Sequence, residues 1–151
     1  MSQNEIRGGC LCGAVRYECS AAPIVSLVCH CRDCQKSSGA PMVAVLFVPR
    51  ESVSIQGELK QFSSPGSSGK LTARHFCGEC GSSVLGVAGA MPQFMAICSG
   101  SLDDSSWVKP QAQCWTARKQ NWLDAISSGQ DSAESMMTFD TIPDFKKMMG
   151  R

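Results

Sequence analysis

Along most of this chain the apolar positions fall in short runs, broken by Gly, Pro and Ser. From Ala14 to Cys19, Val15, Tyr17 and Cys19 alternate with Arg16 and Glu18, the pattern of a strand with one face buried. Met42 to Val48 is a continuous apolar run rich in Val and Phe, which predicts a buried strand ended by Pro49. Shorter runs predict strands at Val53 to Ile55, Leu59 to Phe62, Leu71 to Phe76, Val84 to Val87 and Phe94 to Cys98. Helix is scarce: a turn or two is expected from Arg32 to Ser38, and a further stretch around Ala117 to Ile126. Many short strands with turn signals between them define a mainly β protein, and 151 residues suit one domain spanning residues 1–151 with little room for a second core.

Charge and composition remove several function classes. The formal net charge is +1, from 14 basic and 13 acidic residues, so no strong field favours nucleic acid or an anionic membrane. The start, Met-Ser-Gln-Asn-Glu-Ile-Arg, has no apolar core of a signal peptide, and no run approaches the roughly 20 apolar residues of a membrane span. A cytoplasmic protein is therefore expected. In that compartment thiols stay reduced, so the ten cysteines are read as metal ligands before they are read as disulfides. The stretch from Ser63 to Lys70 ends in Gly69-Lys70 like a phosphate loop, but Gly66 and Gly69 are too close together and Leu71 replaces the magnesium-binding hydroxyl. It is read as a surface hairpin loop.

Seven of the cysteines form three tight clusters: Cys10-Leu-Cys12, Cys29-His-Cys31-Arg-Asp-Cys34 and Cys77-Gly-Glu-Cys80. Four thiolates close one tetrahedral zinc site, and three leave a second site with an open position. In an extended chain residues i and i+2 share a face, so Cys10 with Cys12, and Cys29 with Cys31, can each chelate from one side. His30 then points the other way and is read as a hydrogen-bonded buried histidine, not a ligand. Cys19, Cys98 and Cys114 are read as small buried apolar residues, and Trp107, Trp115 and Trp122 as core aromatics. The Met pairs Met136-Met137 and Met148-Met149 fit either packing or disorder. Spacing leaves two ligand pairings open. One joins Cys10, Cys12, Cys77 and Cys80 and leaves Cys29, Cys31 and Cys34 together; the other joins Cys31 and Cys34 to Cys77 and Cys80.

Three blocks carry a resemblance. Gly9-Cys-Leu-Cys-Gly-Ala-Val-Arg-Tyr17, Cys29-His-Cys-Arg-Asp-Cys-Gln-Lys-Ser-Ser-Gly39 and Phe76-Cys-Gly-Glu-Cys-Gly-Ser-Ser-Val84 are similar, in order and identity, to the glutathione-dependent formaldehyde-activating (CENP-V/GFA) family. Gly100-Ser-Leu-Asp-Asp104 and Trp122 also resemble its pattern, so the likeness runs from about Arg7 to Trp122. The chain departs from that pattern at Gln113, where members often carry His.

The resemblance implies an Mss4-like fold, folded antiparallel β-sheets (a β-tent) pinned by zinc. It implies two zinc ions per chain: a structural one on Cys10, Cys12, Cys77 and Cys80, and a catalytic one on Cys29, Cys31 and Cys34. The activity implied is that of a carbon–sulfur lyase acting on a small thiol such as glutathione and a small aldehyde such as formaldehyde, with a homodimer compatible. A thiol entering the open position would lose its proton and attack the aldehyde. Arg32, Lys36, Arg74 and His75 flank the clusters and are candidates to pair with glutathione's carboxylates. Two other classes of function compete: a non-catalytic Mss4-like zinc module, and a thiol redox enzyme resembling methionine sulfoxide reductase, which the second pairing would permit with Cys98 or Cys114 as nucleophile.

Overall fold

The computed structural model describes residues 6–128. It is mainly β, with two sheets. The small sheet has the order β1 (Ile6–Gly9), β2 (Arg16–Cys19) and β5 (Val53–Gln56), all antiparallel. The large sheet contains β3 (Val25–Cys29), β4 (Val43–Pro49), β6 (Leu59–Pro65), β7 (Leu71–Cys77), β8 (Ser83–Ala88), β9 (Phe94–Cys98) and β10 (Ala112–Cys114). Its order is β10-β3-β4-β9-β8-β7-β6, antiparallel throughout except that β10 runs parallel to β3. The expected mainly β, antiparallel architecture is present, with β10–β3 as one parallel pair. Two helices are described, α1 (Arg32–Ser38) and α2 (Leu123–Ser128). The chain divides into two compact units, residues 1–119 and 120–151; in the second, the Leu123 N–H donates to the Gln120 carbonyl where α2 begins.

Period-two patterning builds the core. On β2, Val15 just before the strand, Tyr17 and Cys19 are buried while Glu18 faces solvent. Strand register sets Leu46 of β4 opposite Ile97 of β9, and Ile97 opposite Leu85 of β8, so one buried row crosses three strands. Val84 and Leu85 are neighbours in sequence, yet both are buried. A register shift between β7 and β8 explains this: Phe76 pairs with Ser83 and His75 with Leu85, leaving Val84 as the extra residue of a bulge. These side chains, with Ile6, Val48 and Met95, form one apolar cluster spanning both sheets.

Polar contacts fasten the small sheet down. Ser101 Oγ donates to the Cys98 carbonyl at 2.7 Å, so the Tyr17 phenol donates to Ser101 Oγ, also at 2.7 Å. The Asp103 N–H donates to the Arg7 carbonyl, and the Arg16 guanidinium grips the Asp103 carboxylate, which that bond holds below the usual carboxylate range. Gly8 forms a bridge with Leu102, and a Cβ on it would stand 2.2 Å from the Ser101 carbonyl oxygen.

The predicted strands match, but three observed ones were not predicted. β1 is Ile-Arg-Gly-Gly, β3 ends in the cysteine cluster, and β10 is only Ala-Gln-Cys. The helix expected around Ala117 to Ile126 is instead a 3-10 turn at Thr116–Arg118 and, separately, α2. The segment read as a surface hairpin loop supplies the end of β6 and the turn into β7. Trp107 packs against the core, whereas Trp115 and Trp122 are about half exposed, at 53% and 49%. Met136, Met137, Met148 and Met149 lie outside the described residues. No helix among the described residues is long and apolar enough to cross a membrane.

A Gly8→Ala substitution should therefore lower stability by about 1–3 kcal/mol or more, because backbone rather than a flexible side chain blocks the new methyl. Gly100→Ala, where a Cβ meets nothing within 4 Å, should stay within about 0.5 kcal/mol of the parent. Urea denaturation midpoints of the two variants give the comparison.

Candidate metal centres

Two groups of cysteines converge, and they lie in different parts of the fold. Cys10, Cys12, Cys77 and Cys80 place their sulfurs within 4.8 Å of one another, and so, separately, do Cys29, Cys31 and Cys34. All ten cysteines are free thiols. The two Cys-x-x-Cys units stand in different groups, so the pairing that the redox alternative needs is not the one the chain builds.

The first group joins the two sheets. Cys10 follows β1 of the small sheet, while Cys77 ends β7 and Cys80 lies in the turn toward β8 of the large one. Cys10 and Cys12 reach each other through a turn, not through an extended strand as expected: the Gly13 N–H bonds back to the Cys10 carbonyl, and Leu11 points out at 91% exposure. Cys77 and Cys80 are brought round by Gly81, at φ 75, whose N–H bonds the Cys77 carbonyl at 2.9 Å. Sulfur separations are 3.5 Å for Cys10–Cys12 and 3.8 Å for Cys12–Cys77. A tetrahedral zinc with Zn–S bonds of about 2.3 Å sets its sulfurs about 3.8 Å apart, so this donor set fits the metal.

Proton sharing inside the group points the same way. Ser82, through its hydroxyl and its N–H, and the Cys12 N–H pull Cys80 down to about 5. For Cys10, burial opposes ionisation, but the Val15 N–H, 3.2 Å from its sulfur, and the sulfurs of Cys12 and Cys77 outweigh it and lower the pKa. Cys12 pays the opposite consequence: the Ala14 N–H favours its thiolate, yet the Cys10 and Cys80 sulfurs beside it push it up to about 12. Thiolates this close need positive charge among them, which a dication supplies.

The second group sits where β3 runs into α1. Cys29 ends β3, Cys31 is the N-cap of α1 and Cys34 lies in its first turn, with the Cys34 N–H donating to Cys31 Sγ at 3.3 Å. Cys31 is extended at φ −63, ψ 153, and its sulfur converges with that of Cys29. The Cys34 thiol is the main influence that lowers Cys29 to about 5, helped by the Cys31 N–H, and the same bond raises Cys34. His30 is buried at 1% exposure and lies outside the ligand group. Its Nε2 meets Gln113 Oε1 at 2.9 Å, and its Nδ1 has no hydrogen-bond partner. Oε1 can only accept, so Nε2 carries the proton.

Buried Gln35 ties this corner together, and sequence reasoning did not find it. Its Nε2 donates to the His30 carbonyl at 2.7 Å and to the Arg118 carbonyl at 3.0 Å. A glutamine four residues after a helix cap reads as solvent-facing; only the carbonyls folded over it give it a role. Arg32 on α1 bonds Gln35 Oε1, and Lys36 is exposed. Arg74 and His75 stand on β7, four strands across the large sheet from β3. Arg74 bonds Ser64 Oγ at 3.0 Å, and burial, then Arg50, lowers His75. Cys19 is buried against Ser52, as expected of a structural thiol. Cys98 is half-buried, and burial raises it to about 11. Cys114 is not an isolated apolar residue: β10 sets it directly beside Cys29, and burial, then Cys29, raises it to about 12.

Residues 5–118 match the model of the glutathione-dependent formaldehyde-activating enzyme family. The chain belongs to this family. A crystal structure of a Rhodobacter sphaeroides protein, a structural-genomics target, superposes with a TM-score of 0.53 at 18% identity, covering 71% of this chain and 98% of that one. At that identity the likeness speaks for the fold. No curated protein matches the chain.

Gln35→Ala should expose the cost of this corner. Leaving the buried His30 carbonyl and the part-buried Arg118 carbonyl without this donor is expected to cost about 1–3 kcal/mol in denaturant titrations. The variant should also give up metal from the second group more readily than the parent in chelator competition, with the first group unchanged.

Proposed function

We propose that this protein is a zinc-dependent carbon–sulfur lyase that makes or breaks the adduct of a small thiol and a small aldehyde, of which S-(hydroxymethyl)glutathione is the type. Family membership supports a glutathione- and formaldehyde-directed activity. The observation that carries the reading is the inequality of the two ligand groups: four sulfurs converge in one and three in the other. In this reading Cys10, Cys12, Cys77 and Cys80 hold a structural zinc, and Cys29, Cys31 and Cys34 a catalytic one. Zinc held by three thiolates supplies a Lewis acid with a position for a substrate thiol, whose pKa it lowers.

The chain's own residues do the rest. The Cys34 N–H donates to Cys31 Sγ, and the Cys31 N–H favours the ionised form of Cys29. Gln35 and the Gln113–His30 pair fix the loop that carries Cys29 and Cys31. On α1, Arg32 and Lys36 are within a turn of Cys31 and Cys34 and are the cations best placed for the carboxylates of glutathione. Arg74 and His75, four strands away, are not assigned that role. Cysteines arranged as ligand sets rather than disulfides support a reducing, cytoplasmic setting.

Two substitutions separate the roles. Structural zinc binding is worth on the order of 10–16 kcal/mol in small domains, against a total stability of roughly 5–15 kcal/mol, so Cys77→Ser should be insoluble or unfolded. Cys34→Ser should keep its β-sheet circular dichroism and lose adduct turnover, assayed across several thiols and aldehydes. Wild-type turnover in Cys34→Ser would contradict the assignment of the second group, and a Cys77→Ser protein of unchanged thermal stability would contradict that of the first.

A further inference from the structure

We propose that Cys114 supplies a fourth sulfur to the group of Cys29, Cys31 and Cys34, closing the second metal site in the resting protein until a substrate thiol displaces it. This rests on the zinc-lyase reading and adds a gate to it. β10 pairs parallel with β3 in a register that sets Cys114 opposite Cys29. Opposite residues on neighbouring strands point to the same face, and the strands lie about 4.8 Å apart.

The register that brings them together is fixed from several sides. The His30 N–H donates to the Cys114 carbonyl at 3.1 Å, and the His30 ring meets Gln113, the residue before it. Further back, the Gln111 N–H donates to the Ser26 carbonyl at 2.8 Å, and the Ser26 N–H to Gln111 Oε1 at 3.1 Å. Immediately after Cys114 the chain turns sharply: Trp115 is left-handed at φ 58, the one non-glycine residue with positive φ among the described residues. The 3-10 turn that follows is held by the bond from Gln35 to the Arg118 carbonyl. A short strand with no apolar pattern is thus pinned at both ends, with a cysteine beside the ligand group.

The Cys114 sulfur is not within 4.8 Å of all three of the others. A change of χ1 rotamer moves a cysteine sulfur without moving the backbone, and this is the motion required. Displacement then balances: the entering thiol gives up its proton, the departing Cys114 sulfur takes one, and four thiolates surround the metal before and after. A substrate thiol would therefore enter without a net change of charge at the site.

Sulfur counting at the zinc X-ray absorption edge tests this on the full chain holding two zinc ions. The proposal expects a mean of about four sulfurs per zinc in the parent. It expects about 3.5 in Cys114→Ala and Cys114→Ser, with a lighter donor in the vacated place, and a return to about four on adding glutathione. Loss of this ligand should make the second zinc at least about tenfold easier to remove in chelator competition. A parent count of about 3.5 that neither variant changes would overturn the proposal and leave the open-site reading standing. One zinc per chain would overturn both. Four sulfurs per zinc in a protein with no adduct turnover would support the fourth ligand while removing the lyase reading.

Discussion

Four sulfurs gathered within 4.8 Å of one another at the junction of two sheets form the constraint on which this fold depends. Thiolates at that spacing repel one another in the absence of a cation, and as thiols they contend for too few acceptors. Two of the four arrive on the turn after β1 and two on the β7–β8 turn, so whatever satisfies them also fixes the small sheet against the large one. The apolar row of Leu46, Ile97 and Leu85 and the contacts of Tyr17, Ser101 and Asp103 operate within that geometry. Each is worth a few kcal/mol at most, whereas a structural zinc is worth on the order of ten.

The second group has a different dependence. It lies within one sheet and the helix that follows, and hydrogen bonds from Gln35, His30 and the first turn of α1 set its shape. Losing a metal there removes no link between sheets. A site whose scaffold stands without its ion can exchange ligands, and ligand exchange is what chemistry on a thiol requires. In the function proposed above, one chain combines a metal centre that builds the protein with one that the built protein uses.

Much of this was legible in the sequence, for physical reasons that differ by element. β2 announces itself because Val15, Tyr17 and Cys19 alternate with charged neighbours, and the helix expected over Arg32 to Ser38 is α1, which the structure shows capped by Cys31 and Gly39. β1 and β10 do not, because Ile-Arg-Gly-Gly and Ala-Gln-Cys hold too few apolar residues to display a period, even though Ile6 is buried in the core. The β8 bulge hides the burial of both Val84 and Leu85 from any strict alternation. Spacing alone left the grouping of the cysteines undecided; the fold decides it by carrying β1 to the β7–β8 turn. Cys114 and Gln113 were opaque for the same reason, since both act through a parallel strand pair that joins segments more than 80 residues apart.

The central claim is that the two metal centres are unlike, one holding the fold and the other not. Graded chelation followed at once by metal analysis and far-ultraviolet circular dichroism tests it most directly. The expected result is two zinc ions per chain leaving in two steps, the first with the β-sheet signal intact and the second with its collapse. Release of both ions in a single step that coincides with unfolding, or a chain that keeps its sheet signal with both ions gone, would contradict it.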